Sequence, residues 1–229
     1  MLLMTQSQSI GVWRGVSLEV AAWDAAHAEV DLSAVCMFTH EIAEAGLKGG
    51  LLHLDQALSG GLAELRRSGE FKADFMETLL ISKPPSTIRA AALLVIGLGN
   101  PSSWTTATTA HAVKAVARAA VYRGDRSVAF APSLLDSGLT SGQTGDVALD
   151  MMRAVIEIIE VQARVAERGL AHAPRLQHWI FDVGLSRADA VTEHFREGFQ
   201  SITSALRAGS TITTPNTDDP SSAPGENNG

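Results

Sequence analysis

The sequence predicts an α/β fold: a mixed or largely parallel sheet with helices on both faces. Short apolar runs of strand length alternate along the chain with longer segments of helical periodicity. Two of the short runs, at 31–38 and 88–96, are apolar almost throughout, as expected for strands covered on both faces. With 45% hydrophobic residues, the 229-residue chain can bury one sizeable core. We therefore predict one domain over residues 1–208 and a disordered acidic and polar tail over 209–229.

The first half of the chain supplies four predicted strands and one predicted helix. The helix rests on leucines at three- and four-residue spacing, and the Ser59-Gly60-Gly61 sequence weakens it or divides it in two. A Lys83-Pro84-Pro85-Ser86 turn separates the last two strands. The predicted strands are 17–22, 31–38, 75–82 and 88–96, and the predicted helix is 51–67.

The second half alternates helix and strand. The first helix takes Ser102 or Ser103 as its N-cap and ends at Gly124, and Gly169 stops the second. A Gly/Ser/Thr-rich loop lies between the first strand and the second helix. The predicted helices are 102–123, 146–168 and 187–206, the strands are 127–131 and 175–183, and the loop is 132–145.

Composition excludes several classes of function. A net charge of -7 without a basic stripe argues against nucleic acid as a partner, because phosphate binding needs clustered Lys and Arg. The apolar run 90–96 is too short to cross a bilayer, and the N-terminus lacks the signature of a signal peptide. Cys36 is the only cysteine, so no intrachain disulfide can form. We predict a cytoplasmic protein that binds neither membrane nor nucleic acid.

Three phrases in the first half resemble the N-terminal domain of leucine aminopeptidases. They are residues 30–35, residues 54–62 with 69–72, and residues 77–81 leading to 93–99. The resemblance implies a macrodomain-like three-layer sandwich. Leucine aminopeptidases carry their paired metals and catalytic residues in a separate C-terminal domain, which has no counterpart here. The resemblance thus implies a non-catalytic interaction or assembly module without peptidase activity of its own, with a homo-oligomer or another protein as its partner.

The second half also resembles a macrodomain. Residues 126–132, the loop and the long helix after them resemble the strand, phosphate loop and helix of that fold, and 177–183 with 194–199 resemble its closing strand and helix. The Gly49-Gly50 pair partly resembles the glycine loop of macrodomains that bind ADP-ribose. Those proteins place an Asn-rich loop after the strand that corresponds to 31–35, where this chain has Cys36 to Glu41.

The loop from Gly97 to Ser103 is the first candidate ligand site. A buried strand ends in glycines and a helix begins with hydroxyl residues, which would present backbone N–H groups and a positive dipole end to an anion. The predicted ligand-binding residues of this loop are Gly97, Gly99, Asn100, Ser102 and Ser103. The alternative is a tight strand-to-helix turn capped by serine.

Two more loops complete the candidate site. Ser137, Gly138 and Gly142 lie in the long loop 132–145, which is either a second phosphate-binding loop or a surface loop. Gly49 and Gly50 would form a third wall, since ligands of such sheets bind at the carboxyl ends of the strands. Together these loops predict, as the alternative function, a binder or hydrolase of a nucleotide-like or phosphorylated small ligand.

No catalytic or metal-binding constellation is apparent. The seven histidines lack the spacing of metal ligands, and Cys36 lies in an apolar strand, where a thiol is usually inert. We assign no catalytic residue, no metal ligand and no cofactor.

Overall fold

The computed structural model describes residues 7–23, 25–41, 46–134, 146–183 and 188–210. Its seven strands form one sheet in the order β1-β2-β7-β6-β3-β5-β4. The five inner strands are parallel, and each edge strand is antiparallel to its neighbour. The strands are β1 (Gln8–Trp13), β2 (Val16–Ala21), β3 (Leu32–Phe38), β4 (Thr78–Ile81), β5 (Ala92–Gly99), β6 (Ser127–Ala131) and β7 (His178–Asp182). The predicted mixed sheet is confirmed.

Within the described residues, five α-helices cover the two faces of the sheet. They are α1 (Gly49–Ala57), α2 (Gly61–Arg67), α3 (Thr106–Arg123), α4 (Val147–Glu167) and α5 (Ala188–Ser210). Side chains of α3, α4 and α5 belong to one core cluster, and those of α1 and α2 to another. Alternate residues of β3 enter the two clusters, since successive side chains of a strand point to opposite faces. This arrangement confirms the predicted three-layer sandwich.

The predicted helix 51–67 is two helices. Ser59 and Gly60 both adopt positive φ, at 56° and 85°, so the backbone leaves the helical conformation between α1 and α2. Gly124 caps α3 in the left-handed conformation with φ 75°, which confirms the predicted end of that helix.

The start of α3 corrects the prediction that Ser102 or Ser103 is its N-cap. Pro101–Ser103 form a single turn of 3₁₀ helix, and the N-cap of α3 is Thr105. The N–H of Thr105 donates to Oγ1 of Thr108 at 3.1 Å, which is half of a capping box. Two hydroxyl-rich segments therefore follow each other, and the second starts the α-helix.

Several strand and helix ends differ from the prediction. β4 begins at Thr78 rather than 75, because Met76 just before it has φ 64° and breaks the extended backbone. β5 runs over 92–99 rather than 88–96, since the N–H of Ile88 closes a turn onto the carbonyl of Pro85. β7 covers only the centre of the predicted strand 175–183. α5 extends to Ser210, and the rest of the predicted tail, residues 211–229, lies outside the described residues.

The edge strand β1 is absent from the prediction. It pairs with β2 through a hairpin whose turn residues, Arg14 and Gly15, have φ of 50° and 83°. Its register shifts between Ser9 and Gly11, and a Cβ at Gly11 would lie 2.3 Å from Cε1 of Phe199 on α5. The glycine therefore lets the aromatic ring of α5 pack directly on the backbone of β1.

An ion-pair network fastens the hairpin turn to α4. The guanidinium of Arg14 donates to both carboxylate oxygens of Glu160, from Nε at 3.0 Å and from Nη2 at 2.9 Å. Arg164 donates to the same carboxylate at 2.9 Å, and Glu167 accepts from Arg14 at 2.8 Å. Glu160 is 8% exposed, so these partners satisfy a buried charge.

Candidate functional site

The carboxyl ends of β2, β7, β6, β3 and β5 lie at one edge of the sheet, because these strands are parallel. Ligands of open α/β sheets bind at this edge. The described segments that follow the strands there are 22–23, 183, 132–134, 39–41 and 100–103. This edge is the candidate site.

The chain itself hydrogen-bonds to the backbone N–H groups of Gly97 and Gly99. The N–H of Gly97 donates to the carbonyl of Glu77 at 2.8 Å, and that of Gly99 donates to the carbonyl of Ala73 at 3.0 Å. The carbonyl of Gly97 in turn accepts from the N–H of Met76 at 2.9 Å. The segment before β4 thus accepts hydrogen bonds from the two N–H groups that the sequence predicted to bind an anion.

A close backbone crossing explains why glycine occupies position 97. A Cβ there would lie 2.1 Å from the carbonyl oxygen of Asp74 and 2.5 Å from the carbonyl carbon of Ala73. Gly99 has φ 74°, and a Cβ there would lie 3.3 Å from Cβ of Phe75. Substitutions at either glycine perturb the fold, so neither residue is a clean probe of ligand binding.

The turn after β5 closes on itself. Oδ1 of Asn100 accepts the N–H of Ser102 at 2.9 Å and its hydroxyl at 2.8 Å. The N–H of Ser103 donates to the carbonyl of Asn100 at 3.0 Å. These bonds are typical of an Asx turn, in which a side chain substitutes for a backbone acceptor. Asn100, Ser102 and Ser103 are exposed, so their side chains remain accessible to a partner.

The other predicted site residues are placed differently. Gly49 and Gly50 form the first turn of α1, where Gly49 has φ 51°. They belong to a helix start and not to a loop after a strand. Ser137, Gly138 and Gly142 lie outside the described residues.

Arg66 and Glu41 also lie at this edge, although no sequence pattern predicted them. Nη2 of Arg66 donates to the carbonyl of Thr39 at 2.6 Å, and Nη1 donates to the carbonyl of Phe71 at 3.2 Å. Glu41 is buried, and its Oε2 accepts the N–H of Phe38. Burial lowers the pKa of Arg66, and the acidic groups of Glu77, Glu41 and Asp74 oppose that shift. The two side chains bind backbone groups, so they shape the edge.

A histidine and a glutamate of adjacent strands pair with each other elsewhere on the sheet. Nδ1 of His178 lies 2.9 Å from Oε1 of Glu19, and the two side chains belong to adjacent strands. Within the described ranges, no three His, Cys, Asp or Glu residues come close enough to hold a metal ion. Cys36 is fully buried; burial, with a smaller contribution from the charge of Glu41, raises the pKa of its thiol, as expected for an inert cysteine.

Two clefts lie away from this edge. One, of about 180 Å³, lies between α3 and α4 and is lined by small and charged side chains, among them His111, Lys114 and Arg153. A wide depression of about 600 Å³ lies near the amino ends of β3, β5 and β6. The carboxylate of Asp31 in this depression binds the backbone, because its Oδ2 accepts the N–H groups of Arg126 and Ser127. Of the helices described, none has the length and apolar composition to cross a membrane.

Residues 35–138 match the sequence model of the cytosol aminopeptidase family, N-terminal domain. The predicted resemblance to leucine aminopeptidases is confirmed. No curated protein sequence matches the chain significantly. A mutant of tomato leucine aminopeptidase has a similar structure, with a TM-score of 0.68 and 17% identity over 93% of this chain and 41% of that chain. The chain therefore spans less than half the length of that aminopeptidase.

Solved macrodomains share the fold of this leucine aminopeptidase-like chain. The Trypanosoma brucei macrodomain in complex with ADP-ribose has a TM-score of 0.54 and 14% identity, covering 84% of this chain and 74% of that chain. The Oceanobacillus iheyensis macrodomain with MES bound has a TM-score of 0.51 and 11% identity, covering 88% and 98% respectively. At these identities the comparison shows the fold alone, and it confirms the predicted macrodomain-like architecture.

Proposed function

We propose that the chain is a non-catalytic interaction and assembly module. The proposal rests on one observation: backbone N–H groups at the candidate edge already donate hydrogen bonds to other groups of the same chain. The N–H groups of Gly97 and Gly99 bind the segment 73–77, and those of Ser102 and Ser103 bind Asn100. The guanidinium of Arg66 donates two hydrogen bonds to backbone carbonyls. An anion would have to displace these bonds, and each displaced group would lose a partner.

The family similarity supports the same reading. The matching family model describes the N-terminal domain of cytosol aminopeptidases, and the fold similarity to tomato leucine aminopeptidase extends over 93% of this chain. A domain that accompanies a peptidase without performing its chemistry can position or assemble other chains. A homo-oligomer or another protein is therefore the proposed partner, and the proposed location is the cytoplasm.

A second function is favoured by the macrodomain fold. One structural neighbour is a macrodomain in complex with ADP-ribose. By analogy, a nucleotide-like or phosphorylated ligand would bind at the carboxyl edge of the sheet. The proposed contacts are Asn100, Ser102, Ser103, Ser137, Gly138, Gly142, Gly49 and Gly50, beside Gly97 and Gly99.

A thermal-shift screen of the purified chain separates the two functions. We expect ADP-ribose, nucleotides and inorganic phosphate to leave Tm unchanged within about 1 °C. A ligand at 100 times its Kd would contribute about 2.7 kcal/mol, which raises Tm by roughly 5–11 °C at this size. Such a shift would contradict the assembly module and support the ligand binder. Its loss in Asn100→Ala with Ser102→Ala, two exposed positions, would then locate the ligand.

We expect no hydrolysis of leucyl amides by this chain with added zinc, manganese or magnesium. The matching family model is that of the N-terminal domain, and the chain spans 41% of the tomato aminopeptidase. The measurement is release of leucine across fractions of a size-exclusion column, with a protein-free blank as control. Metal-dependent release that follows the protein peak would show that the chain is a peptidase.

A further inference from the structure

The edge strand β4 turns outward backbone groups that have no hydrogen-bond partner in the part of the chain that the structure describes. The N–H of Gly97 on β5 donates to the carbonyl of Glu77, and Leu79 and Ile81 pair with β5 in the same alternating register. Within an antiparallel ladder, successive residues direct their N–H and C=O groups to opposite sides of the strand. The backbone groups of Thr78 and Leu80 therefore point away from the sheet, where they can accept another strand.

The two edges of the sheet differ in how they are protected. β1 carries a register shift between Ser9 and Gly11, and Phe199 of α5 packs against it. Bulges and covering elements are the usual means of blocking edge pairing. β4 has a regular register with β5, and its Leu80 side chain is 47% exposed. Among the described strands, β4 is the edge that is suited to pairing.

We propose that β4 is a self-association surface, on which a second copy of this chain pairs antiparallel about a two-fold axis at Leu80. This register pairs outward-facing residues with outward-facing residues, as an antiparallel ladder requires. It places Leu80 opposite Leu80 and Leu79 opposite Ile81. The inference rests on the proposed assembly function and names its surface.

Charge complementarity selects this register and a second copy as the occupant. Continued one residue before β4 and two residues after it, the same pairing would bring Glu77 of each copy near Lys83 of the other, so two opposite-charge pairs would flank the apolar centre. Oε2 of Glu77 accepts the N–H groups of Lys72 and Asp74 at 2.9 Å and 3.1 Å, which holds the carboxylate beside the strand. Lys83 is exposed and has no ion-pair partner among the described residues. A strand that complements itself in this way satisfies the symmetry of an isologous dimer.

The short strand limits the strength of the dimer. β4 has four residues, and Pro84 and Pro85 after Lys83 lack the N–H groups needed to lengthen the ladder. Small interfaces of this kind form weak complexes. We expect reversible dimerisation with a Kd of about 1–100 µM.

Sedimentation velocity from about 1 to 300 µM tests the proposal, a range that brackets the expected Kd. We expect a reversible monomer–dimer equilibrium for the parent chain and a monomer throughout for Leu80→Lys, since lysine is a common blocker of edge strands. Val12→Lys is the matched control, because Val12 is 58% exposed on the opposite edge strand. It should dimerise as the parent does. Circular dichroism and Tm establish that each variant is folded.

Lys83→Glu tests the register separately, because it places like charges opposite each other. We expect its Kd to rise at least about fivefold, with a smaller rise at high salt. A parent chain that is monomeric throughout, or a Leu80→Lys variant that dimerises like Val12→Lys, would overturn the proposal. The thermal-shift screen is an independent test, since it measures ligand binding at the candidate edge and does not depend on pairing at β4.

Discussion

Gly97→Ala is expected to lower the free energy of unfolding by about 3 kcal/mol, because a methyl group at this position has no room. The new Cβ would lie 2.1 Å from the carbonyl oxygen of Asp74, and its close neighbours are backbone atoms. Backbone held by β4 on one side and by Phe71 in the core on the other cannot yield cheaply. Urea denaturation at pH 7 measures the loss.

Gly61→Ala is the matched control for this substitution. Gly61 starts α2, and a Cβ there would meet only Cβ of Leu58, at 3.8 Å. Alanine is favoured over glycine in helices, so we expect a change of less than about 1 kcal/mol, in the stabilising direction. Equal denaturation midpoints for the two variants would show that the crossing over β5 is not tightly packed.

Glu160→Gln is expected to cost about 2 kcal/mol at pH 7, since it removes a buried charge that three N–H groups bind. Arg14 and Arg164 would keep their charges without the carboxylate between them. Both guanidinium groups are partly exposed, and water compensates part of the loss. The same urea denaturation, at pH 7, gives the difference.

The pH dependence of the same variant identifies the charge as the cause. Hydrogen bonds from Arg14, and less from Arg164, lower the pKa of Glu160 to about 2 from an ordinary 4.5. Because the pKa is lower in the folded state, the carboxylate contributes its full stability above about pH 4.5 and loses it as the pH falls towards 2. The difference between the parent chain and Glu160→Gln should therefore shrink between pH 5 and pH 3.

Glu157→Gln provides the control on the same helix. Oε2 of Glu157 lies 2.6 Å from Nζ of Lys114, but its side chain is 47% exposed, and such pairs contribute less than about 1 kcal/mol. We expect little change in stability at either pH. A Glu160→Gln deficit that is as large at pH 3 as at pH 7 would contradict the assigned role of the ion pair.

The sequence alone predicted the centre of the sheet and the helices around it. All seven residues of β3 are buried, because helices cover both faces, and this double burial appears in the sequence as an apolar run in which Ser33 is the one polar residue. The C-terminal ends of α3 and α4 were also close to the prediction, since Gly124 and Gly169 after them adopt φ of 75° and 70°. Such local causes are readable without a structure.

The edge strand β1 was decided by tertiary contacts. β1 contains Gln8, Ser9 and Gly11, whose composition predicts no strand, and its position depends on pairing with β2 and packing under Phe199. Arg14, in the hairpin turn between β1 and β2, donates a hydrogen bond to Glu160, which is 146 residues away along the chain. A charge partner so distant along the chain leaves no periodic signal.

At the candidate site, too, the sequence predicted one part and the tertiary structure decided the rest. From the sequence, two glycines after an apolar run and a hydroxyl-rich segment suggested either an anion site or a capped turn. The structure supplies Ala73 and Glu77 as acceptors for the N–H groups of Gly99 and Gly97. The sequence determined where glycine was required, because the close approach excludes every side chain. Only the tertiary structure decided what approaches, because the acceptors are brought there by the pairing of β4 with β5.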